Sequence, residues 1–71
     1  MVDVSKIYLV QTSKIEDGDK NLEWKPCKIS ELVKEKAFKL IPIDPAYSVK
    51  YFNQSYFEFL LYRKIVRLQE E

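Results

Sequence analysis

The chain of 71 residues contains no histidine, one cysteine (Cys27) and one glycine (Gly18). Without histidine, neither the Ser-His-Asp nor the Cys-His arrangement for nucleophilic catalysis can be built within one chain. A zinc site would have to use carboxylates, which closed four-ligand zinc sites rarely contain. A single glycine cannot form a phosphate-binding loop, because such loops need several glycines where backbone approaches phosphate. We therefore expect no catalytic residue, metal site, cofactor or small-molecule substrate.

The sequence also lacks an excess of charge and a long apolar run. Twelve Lys and Arg against eleven Asp and Glu give a net charge of +1, so no global field attracts nucleic acid or an anionic membrane. The first ten residues, MVDVSKIYLV, contain an acidic residue and too short an apolar run for a signal peptide or a membrane span. With one cysteine and no possible intramolecular disulfide, these features predict a cytoplasmic protein with no membrane partner.

The composition itself is typical of a folded chain. Hydrophobic residues make up 46% and charged residues 32% of the sequence, with only three prolines, which excludes disordered and collagen-like classes. A length of 71 residues leaves no room for a second domain. We therefore expect one compact domain over residues 1–71.

Four segments have the pattern of β-strands. Residues 4–12 are rich in β-branched and aromatic types, and residues 22–27 follow a turn at 16–21 that contains Asp17-Gly18. Pro26 cannot donate a ladder hydrogen bond, so the second strand is expected at a sheet edge. Residues 38–43 and 47–51 complete the set, the last by alternation of apolar and polar positions.

Two segments have the pattern of helices. Ser30 followed by Glu31 predicts a short helix at 30–37, and Ser55 with Glu58 fits a capping box that opens a helix at 56–69. The fold class is then α+β, a three- or four-stranded mostly antiparallel sheet with the longer helix packed on it. If residues 56–68 were a strand, a small five-stranded barrel would be the alternative. The expected core residues are Trp24, Ile7, Leu9, Leu61 and Leu68.

The C-terminal helix would carry two apolar faces. Phe59, Tyr62 and Val66 have the spacing i, i+3, i+7 and lie opposite the expected core face. Such residues usually pack inside the same chain. A small domain also commonly gains stability by self-association, and an antiparallel helix pair would make a self-complementary dimer interface. We therefore expect a non-catalytic protein-interaction module, a homodimer through these three residues.

The alternative function is nucleic-acid binding by a basic and aromatic stripe on the same helix. The stripe contains Tyr56, Arg63, Lys64 and Arg67. Arginine and lysine side chains contact phosphates, and an exposed tyrosine can stack on a base. The competing interpretation is a solvated helix end, where the helix dipole favours cations. Salt-dependent binding to oligonucleotides distinguishes the two.

Overall fold

A computed structural model describes residues 2–18 and 20–69. The described chain forms five antiparallel strands in one open sheet of order β4-β3-β2-β1-β5, with one α-helix. The elements, in chain order, are β1 (Tyr8–Thr12), a 3₁₀ turn (Ile15–Asp17), β2 (Glu23–Leu32), β3 (Ala37–Pro42), β4 (Lys50–Asn53), α1 (Gln54–Tyr62) and β5 (Arg67–Leu68). The structure confirms the α+β class. The helix expected at 30–37 is not formed, and the sheet has five strands rather than three or four.

The segment expected to be a helix at 30–37 is the end of β2 and a hairpin turn. Ser30 pairs with Lys39, and Glu31 pairs with Phe38. Lys36 closes the turn with a φ of 50°, a left-handed conformation that ends any helical path. Pairing with β3 therefore overrides the local helix propensity of this segment.

Pro26 lies in the central strand rather than at an edge, which corrects the sequence-based prediction. The Ile43 amide donates to the Pro26 carbonyl (3.1 Å), so the backbone polar groups of Pro26 face the β3 side of β2. Ile43 is one residue beyond Pro42, where β3 ends. Because antiparallel ladders bond through alternate residues on each side, the missing Pro26 amide removes only a bond at the end of the ladder.

Helix α1 crosses one face of the sheet on its way from β4 to β5. The side chain of Asn53, rather than that of Ser55, caps it by accepting from the Ser55 amide (3.0 Å). The helix ends at Tyr62, and Lys64 adopts a φ of 64° in the following turn. The segment expected to continue as helix to residue 69 is therefore a turn and the short strand β5.

Strand residues alternate between two faces, which we call the covered face and the open face. The covered face packs under α1 and contributes the core residues Tyr8, Val10, Cys27, Ile29, Phe38 and Leu40, joined by Phe57 and Leu60 of α1 and by Val66. Phe57 is fully buried, and its ring makes edge contacts with Tyr8 and Phe38 at centroid distances of 5.6 and 5.3 Å. These ring contacts anchor the helix to the sheet.

The connection between β3 and β4 covers the remainder of this face. Tyr47 is buried and forms an isolated bridge with Lys14, so the strand expected at 47–51 begins only at Lys50. The fully buried Thr12 hydroxyl donates to the Ser48 carbonyl (2.8 Å). Asp19, in the turn expected at 16–21, lies outside the described residues.

Among the expected core residues, Trp24 is the clear exception. It is 38% exposed and lies on the open face, because it is one residue out of phase with the buried Cys27 and Ile29. Leu61 and Leu68 are half-buried and pack against the core. The remaining two, Ile7 and Leu9, are half-buried, and Leu9 alternates with the buried Tyr8 and Val10, so it lies on the open face rather than in the core.

Candidate binding surface on the open sheet face

The open face consists of the strand side chains that point away from α1. They are Leu9, Gln11, Trp24, Pro26, Lys28, Ser30, Leu32, Ala37, Lys39, Ile41, Tyr51 and Arg67. On this face, Trp24, Ile41 and Tyr51 are 38%, 37% and 61% exposed. A sheet face that carries apolar and aromatic side chains in contact with solvent is a candidate for partner binding.

Strand cations lie on both faces of the sheet, whereas strand carboxylates lie on only one. The strand cations of the open face are Lys28, Lys39 and Arg67, and no strand position on this face is acidic. The two acidic strand residues, Glu23 and Glu31, both belong to the covered face. The open face is therefore locally positive although the whole chain carries a net charge of only +1.

Hydrogen bonds hold these two carboxylates on the covered side. Oε2 of Glu23 accepts from the Tyr47 hydroxyl (3.0 Å), in the connection that crosses this face. Oε2 of Glu31 accepts from Nε2 of Gln54 (3.0 Å), the first residue of α1. Both donors come from elements that cover the face, so neither carboxylate neutralises the cations of the open face.

Two cations of the open face lie against aromatic rings. Cζ of Arg67 lies 4.9 Å from the centroid of the Trp24 ring, and Nζ of Lys39 lies 5.9 Å from that of Tyr51. Nε of Arg67 also donates to the Lys64 carbonyl (2.9 Å), which orients the guanidinium above the indole. The surface thus combines positive charge and ring faces at two places.

The four residues predicted to contact nucleic acid do not form one helical stripe. Tyr56 lies in α1, and Arg63 is the C-cap of this helix, whereas Lys64 lies in the following turn. Arg67 lies in β5 and points to the open face. Lys64 and Arg67 line one shallow depression together with Leu9, so only this pair adjoins the open face.

Sequence reasoning missed Trp24, Lys28, Lys39 and Tyr51 as members of one surface. A signal for the first two was present, because Trp24, Lys28 and Ser30 alternate with the buried Cys27 and Ile29. Placing Lys39 and Tyr51 beside them required the pairing of β3 with β2 and β4, which no local pattern specifies.

The outer surface of α1 is a second candidate surface, on the opposite side of the sheet. Phe59 and Tyr62 are 49% and 83% exposed, and the Phe59 ring stacks on Tyr56 at a centroid distance of 6.4 Å. Cζ of Arg63 lies 5.8 Å from the Phe59 ring centroid. Val66, predicted to share this surface, is only 2% exposed and belongs to the core. The helix ends at Tyr62, so Val66 lies in the segment after it and does not continue the helical spacing.

A cleft of about 210 Å³ adjoins this helical surface. Its lining is apolar except for Gln11 and Lys50. Tyr56 and Ile65 contribute to its wall and are also partly exposed to solvent. The cleft contains no cluster of titratable groups.

Cys27 is the one free thiol of the chain, and it is buried. Burial raises the pKa of the Cys27 thiol to about 11, so this side chain is protonated at neutral pH. Within residues 2–18 and 20–69, no group of three or more His, Cys, Asp or Glu side chains could hold a metal ion. In the same residues, no helix has both the length and the apolar character needed to cross a membrane.

Comparison with known proteins gives no relative for this fold or surface, since no family model, curated protein or solved structure matches the chain.

Proposed function

We propose that the chain is a non-catalytic module that binds nucleic acid through the open face. The observation that carries this proposal is the division of strand charge: Lys28, Lys39 and Arg67 on the open face, and both strand carboxylates turned to the covered face. A partly apolar surface with cations and no acidic strand residue is complementary to a polyanion. The neutral net charge does not oppose this, because fields from charges more than about 10 Å away are screened at moderate salt.

The same charge distribution argues against a symmetric dimer through the open face. A two-fold axis would place the Lys28, Lys39 and Arg67 side chains of one copy against the same surface of the other. No strand carboxylate on this face would compensate them, and like charges brought together at an interface cost several kcal/mol, about 2 or more. A partner of opposite charge therefore fits this surface better than a second copy.

The test is a salt titration of oligonucleotide binding, followed by the anisotropy of a labelled strand. Three cations that each neutralise one phosphate predict a slope of about −2 in a plot of log K against log salt for a single strand. The variant Lys28→Gln/Lys39→Gln should reduce the slope to about −1 and weaken binding at low salt. Neither side chain lies in the core, so the thermal unfolding midpoint should stay close to that of the wild type.

The matched control removes two charges elsewhere. Lys20 and Lys34 are exposed in connections between strands, so Lys20→Gln/Lys34→Gln has the same net charge without altering the open face. The proposal requires the control to bind nearly as well as the wild type. Equal weakening by both variants, or no binding by the wild type at low salt, would refute binding through this face.

A second candidate function is self-association through the outer surface of α1. The observation in its favour is the exposure of Phe59 and Tyr62 at 49% and 83%, beside the half-exposed Tyr56. Aromatic side chains are enriched at protein interfaces, and their burial between two copies would remove this apolar surface from water. The interface would contain Phe59 and Tyr62 without Val66.

Sedimentation equilibrium of the wild type and of Phe59→Asp/Tyr62→Asp tests this candidate. A wild-type dimer that the variant converts into a folded monomer would support it. A wild type that stays monomeric at about 10 to 100 μM, in the range of weak interfaces, would leave the helix surface without a role in self-association.

A further inference from the structure

Two aromatic rings of the open face are accessible at separate places. Trp24 lies near the start of the central strand β2, and Tyr51 lies in the edge strand β4. They are 38% and 61% exposed. Each ring has a cation beside it, Arg67 for Trp24 and Lys39 for Tyr51.

The strand register gives the distance between the backbone positions of the two ring-bearing residues. Tyr51 is opposite Lys39, and Lys39 is opposite Ser30, six residues along β2 from Trp24. Six residues at about 3.3 Å and two strand spacings of about 4.8 Å give a diagonal of about 22 Å between the Cα atoms of Trp24 and Tyr51. Ile41 lies close to this diagonal, and Lys28 is its neighbour in β2.

The surface along the diagonal contains no carboxylate from a strand. Lys28 pairs directly with Ile41, so a cation and an apolar side chain lie side by side between the two rings. Duplex readers insert a helix or a two-stranded ribbon into a groove, whereas a sheet face with exposed rings can contact unpaired bases. This arrangement therefore favours a single-stranded ligand over a duplex.

We propose that the open face binds a single-stranded nucleic acid, one base of which replaces Arg67 on the Trp24 ring and another of which replaces Lys39 on the Tyr51 ring. The phosphates between and beside these bases contact Lys28, Lys39 and Arg67. The span corresponds to about four nucleotides or slightly more, the lower end of the site sizes of single-strand-binding sheet domains. This inference rests on the proposed function, to which it adds the strand type and the two stacking residues.

Trp24 provides a direct probe, because it is the only tryptophan in the chain. The experiment titrates the wild type with four polyanions at low salt: an oligothymidylate of about eight nucleotides, a duplex of the same length, inorganic polyphosphate and a polyglutamate peptide. Tryptophan emission and the anisotropy of labelled strands are both recorded. Oligothymidylate should quench Trp24 and bind about a hundredfold more tightly than polyphosphate, because each of the two stacked bases contributes about 1 to 3 kcal/mol. The duplex should bind without comparable quenching.

Substitution of Tyr51 tests the second stacking position while leaving the probe in place. Tyr51→Leu should weaken oligothymidylate binding about tenfold and leave polyphosphate binding unchanged. Tyr62→Leu is the matched control, since it removes a more exposed tyrosine on the opposite side of the sheet. Its oligothymidylate affinity should equal that of the wild type. Trp24→Phe should retain binding that Trp24→Leu loses, and circular dichroism checks the fold of each variant.

Three outcomes would overturn the inference. Equal binding of oligothymidylate and polyphosphate, with no change in Trp24 emission and no effect of Tyr51→Leu, would leave the open face as a polyanion surface without base stacking. Tighter binding of a polyglutamate peptide with Trp24 quenching would assign the face to an acidic protein partner. Absence of binding to any polyanion would refute the proposed function itself, and the stacking model with it.

Discussion

The covered and open faces of the sheet are built from alternate residues of the same strands, yet they differ in charge and in packing. Leu40 is fully buried, and the next residue, Ile41, is 37% exposed on the other side. The covered face holds the ring cluster around Phe57 and a contact of Lys25 with the Tyr47 ring, whereas each of the two rings of the open face contacts a cation. Both faces are rich in apolar side chains.

This comparison shows that apolar content alone does not identify a core. On the covered face, aromatic rings pack on each other and exclude water, so they stabilise the fold. On the open face, rings at similar strand positions remain accessible beside cations, so they contribute less to folding and are available for recognition. Substitutions on the two faces should therefore affect different properties of the protein.

The largest expected effect is that of Phe57→Ala. Phe57 is fully buried and its ring contacts those of Tyr8, Phe38 and Phe52. Loss of the ring should lower the free energy of unfolding by about 3 to 5 kcal/mol through lost burial and a residual cavity. Urea denaturation followed by circular dichroism measures this change.

Phe59→Ala in the same helix is the control for that experiment. Phe59 is 49% exposed, so its truncation should cost about 1 kcal/mol or less. Similar losses for the two variants would mean that the outer surface of α1 is buried in solution, and the contrast between buried and exposed surfaces would then need revision.

Cys27 should make the covered face sensitive to alkaline pH. Burial raises the pKa of its thiol from 9.0 to about 11. Between these values the unfolded state binds fewer protons than the native state, so the free energy of unfolding falls as the pH rises. The loss should begin near pH 9 and reach about 2 kcal/mol at pH 11.

Urea denaturation at several pH values, with Cys27→Ala as reference, isolates the thiol. The variant should be less stable at neutral pH, and its stability should fall less steeply between pH 9 and 11. Burial also raises the pKa values of Tyr8 and Tyr47, so part of the alkaline loss should persist in the variant. Parallel pH profiles for the two proteins would contradict the assignment to Cys27.

Asn53→Ala tests how much the N-cap stabilises α1, the helix that packs on the covered face. The Asn53 side chain accepts from the Ser55 amide and from the Ser55 hydroxyl (2.7 Å). Removing the cap should cost about 1 kcal/mol, seen as a lower midpoint in urea denaturation. Asn53→Asp keeps the acceptor oxygen and should lose much less. Equal losses for both variants would show that the cap contributes little.

The smallest expected effect is that of Ile41→Thr on the open face. Threonine favours strands, and Ile41 is already in contact with water, so the free energy of unfolding should change by less than about 1 kcal/mol. Leu40→Thr, one residue away, should cost several times more. A large effect of Ile41→Thr that depends on protein concentration would indicate that another molecule covers the open face.

The sequence predicted part of the fold because some local signals agree with the tertiary structure. The strand at Tyr8–Thr12, the turn around Gly18 and a helix beginning near residue 55 were all predicted approximately. The helix expected at 30–37 failed because pairing with β3 outweighs helix propensity. The helix expected to continue to residue 69 failed because Lys64 reverses the chain and Val66 enters the core.

Less of the candidate surface was predictable. Arg67 was identified as a possible nucleic-acid contact, but on a helical stripe that the structure does not contain. Its actual neighbour is Trp24, 43 positions earlier by the sequence numbering, and this contact depends on β5 pairing with β1. Local periodicity cannot report such a pairing, because it contains no information on which strands are neighbours.

The pairing of β5 with β1 has a consequence for the order of folding. Strands β1 to β4 pair with their neighbours in sequence, so their hairpins close short loops. Tyr8 meets Leu68 only after the chain has returned across the sheet, and closing so long a loop is entropically slower. We therefore expect β5 to join last and to open first, so the amide of Gln69, which donates to the Ile7 carbonyl (3.0 Å), should exchange its hydrogen faster than those of the central strands. Arg67 reaches Trp24 only in that final step, which also brings Leu68 against the core, so one event completes both faces of the sheet.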